Sequence, residues 1–479
     1  MKIFLFTILL SIFSLNALAQ SKGLIFDDAA YDNVLLKASL TRGLYDRVPS
    51  RASLKKYSPT PKSQGKYGTC VGWASAYAAR TIAMAQHKGW TNKSKITNNA
   101  FSPGFIYRLI QQNDYYCKNG SAIPHALEVM KQIGVPKYSQ LNDSCPNRIS
   151  NQAYTKASPY KIQDFVRLFN RRDAKTQKIN RVRKSLSEGK PVIIGMNTPD
   201  SFQRVYGNKL WQPKSSESPT VSYGGHAMTV IAYDNNKYGG AFELQNSWGT
   251  RWGNNGYIWI KYQDFANYTK YAFELIEQPK PKPSYRTDLS GKMRFLLDNG
   301  DEMKAELVNG SYKMKRPYAS GTRFRLYLSN NEPAYVYAFG SDMTGKVYPI
   351  FPHQPGISPA LTYKRNEVPI PDENHYIAMD NTIGHDFFCV LYSKEALDID
   401  DIHRRLERNV SEKGLIVVPA ISSGEEQTHS NFLQKVIQTL SNKVVDSRHI
   451  RYYKRGIGFS AKSHGKTVVP LCVELEHTR

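Results

Sequence analysis

Cys70 stands at the head of an Ala-rich stretch, 71–86, with good helix propensity. A cysteine at a helix N-terminus feels the positive end of the dipole, which favours thiolate over thiol. A thiolate is a nucleophile for acyl transfer, and it needs a base or a cationic partner beside it. Position alone does not separate this from a buried structural cysteine, the commoner case. A second stretch does. Gly224-Gly225-His226-Ala227-Met228 puts a histidine just before an apolar strand, and 20 residues on comes Asn246-Ser247-Trp248-Gly249, followed by Trp252-Gly253 and Gly256-Tyr257. His226 can pair with Cys70 as the imidazolium. Asn246 can hold that ring by accepting from its other N–H, and Trp248 can shield the bond from water.

Taken together, Asn-Ser-Trp-Gly-x-x-Trp-Gly-x-x-Gly-Tyr at 246–257 resembles the signature around the catalytic asparagine of papain-like cysteine peptidases. Gln64, six residues before Cys70, matches that family's oxyanion-hole glutamine, and His226 within Gly-His-Ala matches its base. Gly189-Lys190-Pro191-Val192 resembles its helix-to-strand turn. The resemblance covers about 50–278 and implies a catalytic set of Cys70, His226, Asn246 and Gln64, with no metal and no cofactor. It also implies substrate contacts from Gly120, Ser121, Gly225 and Trp248. Cys117-Lys118-Asn119-Gly120-Ser121 resembles the loop flanking the substrate cleft, where a Gly-rich backbone pairs with peptide. Three departures stand out. Val71 replaces the usual Trp after the nucleophile, with Trp73 two further on. Tyr67 replaces a disulfide cysteine. The leader, 20–50, is too short for the family's usual inhibitory pro-region, so how activity is restrained is open. A Cys117–Cys145 bridge over the loop would stabilise by about 3.5 kcal/mol; two free thiols are the alternative. For Cys389 and Cys472, in apolar strands, buried thiols and a bridge are equally open.

The elements that must position these residues are legible in outline. Helices are expected over 71–86, 102–112, 122–132 and 181–187, and strands over 192–196, 227–233, 241–245 and 257–262. Helices first and strands later read as α+β. The resemblance narrows this to a two-lobed fold, a helical lobe and a β-barrel-like lobe, over 51–278. Pro279-Lys280-Pro281-Lys282-Pro283 marks a stiff linker at 279–284. Beyond it, short strands at 293–297, 323–329, 334–340, 346–350, 386–392 and 468–474, with helices at 399–408 and 431–440, make 285–479 a separate β-rich accessory domain. Its 320–395 region resembles an uncharacterised domain appended to bacterial exported enzymes. Tyr335 and Tyr337 are expected either to grip a ligand or to pack across strands.

At the N-terminus, Lys2, an apolar run at 3–15 and Ala17-Leu18-Ala19 read as a signal peptide, 1–19, too short to span a bilayer. Export to the periplasm or beyond is expected. No other run reaches spanning length. The chain of 479 residues carries a net charge of +25, with 37 basic and 17 acidic side chains in 20–280 against 27 and 23 in 281–479. Export argues against nucleic acid as the partner of that charge. Within 161–190, ten Lys/Arg face three Asp/Glu, a solvated helix face or a patch for an anionic cell surface. The expected function is an exported, bacterial-type cysteine endopeptidase acting on proteins or peptides. The alternatives are a catalytically silent fold used for binding or adhesion, and an amidase or acyltransferase on cell-wall peptides.

Overall fold

The computed structural model describes residues 21–279, 286–308, 310–342, 346–364, 366–411 and 424–479. The expected signal segment, 1–19, lies outside the described residues, as does the linker at 279–284 apart from Pro279.

The first lobe is built on the helix that Cys70 opens. It runs as Cys70–Gly72, a wide-turned stretch Trp73–Arg80 and a regular Thr81–Lys88, and ends where Gly89 turns left-handed at φ 67°. The wide turns are matched by Thr81 Oγ1, which donates to the Ala76 carbonyl five residues back at 3.4 Å. Two more helices pack beside it, Pro103–Ile110 and Ile123–Gln132. Ser102 caps the first by accepting from Phe105 N–H at 3.3 Å, the role its Ser-Pro pair suggests. Gly72 permits the close crossing, since a Cβ there would meet the Pro103 carbonyl at 2.3 Å.

The second lobe is a 10-stranded sheet. Gly225–Asp234 sits at its centre, antiparallel to Val192–Asn197 on one side and to Ala241–Gln245 on the other. Past Val192–Asn197 the same edge of Gly225–Asp234 takes up Arg51–Ser53, so the sheet curls. Gly225–Asp234 is buried on both faces for nine residues, which is why it reads as an unbroken apolar run.

The C-terminal domain is a sandwich of two sheets. One is ordered Val368–Ile370, Arg323–Ser329, Leu289–Leu297, Ile457–Ala461, Ile450–Tyr452. The other is ordered Ala305–Val308, Ser311–Met314, Val468–Thr478, Gly384–Ser393, Ala334–Ser341, Val347–Phe351. Phe295, Phe324, Phe388 and Tyr392 fill the space between them. Helices Ile399–Ser411 and Gly424–Leu440 cover the outer face of the second sheet. Tyr335 and Tyr337 are buried in one apolar cluster with Ile402, Leu406 and Val436, and serve as packing residues of this face. Cys389 and Cys472, paired across neighbouring strands, form a disulfide. Among the described residues no helix is long and apolar enough to cross a membrane, and no cluster of three metal-ligating side chains occurs.

Candidate active site

Three elements converge on Cys70. Thr229, in the Gly225–Asp234 strand, donates through Oγ1 to the Ala74 carbonyl at 2.8 Å and fixes the Cys70 helix to that strand. His226 lies at the strand's start and Asn246 just past the end of its neighbour, so antiparallel pairing brings them side by side. His226 Nε2 and Asn246 Oδ1 are 2.7 Å apart. His226 Nδ1 is buried with no hydrogen-bond partner, which makes it the ring atom free to exchange a proton with the thiol. The Trp248 ring stacks on the imidazole, centroids 4.2 Å apart and planes 24° from parallel, and covers the His226–Asn246 bond. Gln64 is held from behind, its Oε1 accepting from Ser247 Oγ at 2.6 Å.

The loop carrying Gly120 and Ser121 forms the facing wall. A Cys117–Cys145 disulfide closes it, with Cα atoms 5.8 Å apart, and Asp114 anchors it by accepting from Asn119 N–H at 2.7 Å and Tyr107 Oη at 2.6 Å. Gly68 N–H, two residues before Cys70, donates to the Cys117 carbonyl at 2.6 Å.

The cleft between these walls is filled by the chain's own leader. Leu24 N–H donates to the Gly225 carbonyl at 3.1 Å, Ile25 N–H to Ser121 at 3.0 Å, and Ser121 N–H to Gly23 at 2.8 Å. The Ser21 carbonyl accepts from Gln64 Nε2 at 3.0 Å and from Trp248 Nε1 at 3.2 Å. Lys22 Nζ donates to the Thr198 and Tyr223 carbonyls, both at 2.6 Å. Leu24 sits in an apolar pocket against Gly195, Ile193, Ala227 and Tyr271. Gly23 passes so close to the catalytic loop that a Cβ would lie 2.1 Å from the Gly68 carbonyl. The leader thus fills the cleft as extended chain, with Ser21 to Ile25 making these hydrogen bonds.

That occupancy changes the electrostatics expected from sequence. Cys70 and His226 are fully buried. Burial pushes the thiol up to about 11, although backbone N–H groups of Ala227, Gly23 and Val71 point at the sulfur and pull the other way. Burial likewise takes His226 down to about 3, opposed by its bond to Asn246 and helped by nearby Lys22. Both shifts run against the thiolate–imidazolium pair while the leader covers it. The helix dipole does not offset the loss of water. The leader also presents Gly23 N–H to the sulfur.

All of the sequence-derived residues, Gln64, Cys70, Gly120, Ser121, Gly225, His226, Asn246 and Trp248, line this one cleft. Ser247, which orients Gln64, and Ser21 to Leu24 were not among them. Their signal was slight: one glycine before an apolar Leu24-Ile25-Phe26 triplet in a polar leader. The basic 161–190 segment is largely engaged within the fold. Arg171 pairs with Asp28 at 2.7 Å and Asp32 at 2.8 Å, Arg167 donates to the Val34 carbonyl at 2.7 Å, and Arg181 to Lys37 at 3.0 Å.

Comparison with known proteins matches residues 48–273 to the family described as papain family cysteine protease. Residues 317–396 match a domain of unknown function, DUF4384. The chain is 25% identical over 245 residues to an uncharacterized peptidase C1-like protein L477 of Acanthamoeba polyphaga mimivirus, covering 48% of this chain and 73% of that one. It is 26% identical over 222 residues to Peptidase 1 of Dermatophagoides pteronyssinus, covering 44% of this chain and 60% of that one, so it spans less than two thirds of that relative. Among solved structures, xylellain, a cysteine protease from Xylella fastidiosa, is similar over 54% of this chain and 96% of its own, at 20% identity and a TM-score of 0.43.

Proposed function

We propose, from the premise that residues 48–273 are a papain-family cysteine protease domain, that this chain is an exported cysteine endopeptidase held latent by its leader. The observation that carries the reading is the extended peptide already seated in the cleft, with its backbone on Ser121 and Gly225 and a carbonyl on Gln64 beside Cys70. Once the leader leaves, water returns to Cys70 and His226, and the charged pair becomes accessible to them. The Cys70 thiolate attacks the scissile carbonyl. The oxyanion is held by Gln64 Nε2 and the Cys70 backbone N–H, and His226, oriented by Asn246, protonates the leaving amine. Water activated by His226 then releases the acyl group, regenerating the thiol. Lys2, the apolar 3–15 run and Ala17-Leu18-Ala19 support export.

The test is an epoxysuccinyl thiol probe on the full chain and on Leu24→Asp, with Cys70→Ala alongside, read by intact mass and peptide mapping. A single adduct on Cys70, formed faster in Leu24→Asp and accompanied by cleavage of an unfolded protein, is expected. Labelling without cleavage of any protein, but with turnover of cell-wall peptides, would replace this function with amidase or acyltransferase chemistry. No labelling in either form would mean the fold is used for binding.

A further inference from the structure

The C-terminal domain, whose central region belongs to a family of unknown function, touches the leader far from the cleft. We propose that its function is to hold the inhibitory leader in place, as an intramolecular docking surface for residues 34–46. This rests on the reading of residues 21–27 as an inhibitory plug, and adds what keeps the plug seated.

The leader has two ends of different character. Its first end, 21–27, lies in the cleft. Its second end is built into the C-terminal domain. Leu36–Lys37 is a two-residue strand of the 10-stranded sheet, next to its edge: Leu36 pairs with Arg167 of the peptidase domain on one side, and Leu36 and Lys37 pair with Ile357 and Ser358, the edge strand supplied by the C-terminal domain, on the other. Leu36 N–H donates to the Gly356 carbonyl at 2.7 Å. Ala38 and Leu40 are buried in the core that the two C-terminal sheets share, and Leu44 and Tyr45 pack against it. Thr41 N–H donates to the Glu367 carbonyl at 2.9 Å, and Arg42 reaches Glu373 at 3.3 Å.

One buried group belongs to all three parts at once. Glu274, fully buried in the peptidase sheet, is paired with the leader's Lys37, accepts from Ser185 Oγ at 2.7 Å, and accepts from Tyr363 Oη of the C-terminal domain at 3.0 Å. Lys37 Nζ also donates to Thr362 Oγ1 at 3.0 Å and lies 3.6 Å above the Tyr363 ring. The C-terminal partners named here, Gly356 to Glu373, all fall within 317–396. Between the two ends, Asp28–Asn33 is a single short helix held by Tyr31 stacked on Tyr271, so a pull at one end reaches the other through only a few residues. The domain thus closes an enzyme it does not otherwise obstruct: among the described residues, none of those hydrogen-bonded to the leader in the cleft comes from it.

The test compares labelling of Cys70 by the epoxysuccinyl probe in the full-length chain, in Leu24→Asp, and in Leu44→Asp/Tyr45→Ala, which alters only the docked end. The double variant is expected to label at least tenfold faster than the parent, approaching Leu24→Asp, with Leu44→Met restoring the slow rate. Acceleration in Leu24→Asp with none in the double variant would overturn the docking role and leave the plug standing. No acceleration in Leu24→Asp would remove the plug itself, and the docking role with it. Because Leu44 and Tyr45 also cover apolar surface, a second measurement avoids substitution there. A specific protease site is placed in the 47–50 turn and cut. The severed leader should stay bound, and Cys70 stay slow to label, because the C-terminal domain retains it. Loss of the leader on cutting, with fast labelling, would overturn the proposal.

Discussion

Gln64 Nε2 donates to the leader's Ser21 carbonyl at 3.0 Å and to Tyr67 at 2.8 Å, while Ser247 holds the other end of the amide. The donor that would meet an oxyanion is thus occupied by the plug and already aimed. In an opened enzyme such as Leu24→Asp, adding Gln64→Ala is expected to lower kcat by about 10²-fold, the usual effect of losing one such donor. Steady-state kinetics on a peptide substrate would check it, and an unchanged kcat would remove Gln64 from the chemistry. The buried Cys70–His226 pair makes a second expectation. His226 is depressed from 6.5, so the closed form binds fewer protons than the unfolded chain, and that part of its stability is lost as pH falls below 6.5. Cys70 is raised from 9.0, so the closed form keeps its proton longer, and stability is lost as pH rises above 9.0. The folded, closed chain should gain most from this pair between those values. Urea unfolding should show a smaller free energy at pH 5 than at pH 7.5, with the difference reduced in His226→Gln; an undiminished difference in that variant would contradict the coupling.

At the scale of elements, the leader segment in the cleft depends on one small residue. Replacing Gly23 by Ala sets a Cβ against the Gly68 backbone carbonyl, which cannot rotate aside. Gly23→Ala is therefore expected to displace the plug and speed Cys70 labelling without altering a catalytic group; an unchanged rate would show that the leader can shift sideways within the cleft. The long elements were readable because each follows a local rule. Ser102-Pro103 starts a helix, Gly189 turns a helix into a strand, and 334–340 and 468–474 are apolar enough to be buried on both faces. The Cys70, His226 and Asn246 positions were readable because their neighbours, Gly225 and Trp248 among them, are constrained by the site itself. The rest obeys no local rule. Leu36–Lys37, Ile357–Ser358 and Ala360–Leu361 are two-residue strands made only by their partners, too short for any periodicity to register. The plug, likewise, is extended chain whose backbone bonds at 23–25 go to Gly225 and Ser121, remote in sequence.

At the scale of the whole molecule, the Lys37–Glu274 pair fastens leader, peptidase domain and C-terminal domain at one buried point. Burial would raise the Glu274 carboxyl, but the charges of Lys37 and Lys190 and the bonds from Lys37 and Ser185 outweigh it and leave it below the usual range. Removing one member of a buried pair leaves an uncompensated charge, so Lys37→Met should cost about 3 kcal/mol in urea unfolding at pH 7. A loss under about 1 kcal/mol would mean that Lys190, 3.8 Å away, and the hydroxyls suffice for Glu274. The same geometry bears on the order of assembly. The bonds from Lys37 to Thr362 and from Arg42 to Glu373 join residues 325 and 331 positions apart. Contacts of such separation form only after the intervening chain is available, and domains generally fold as units from the N-terminal side during synthesis. Residues 34–46 are made early yet have no completed seat until residues 356–374 have followed and folded. Latency is thus acquired last, and a chain caught part-way through folding passes through an interval in which its cleft is formed but only loosely shut.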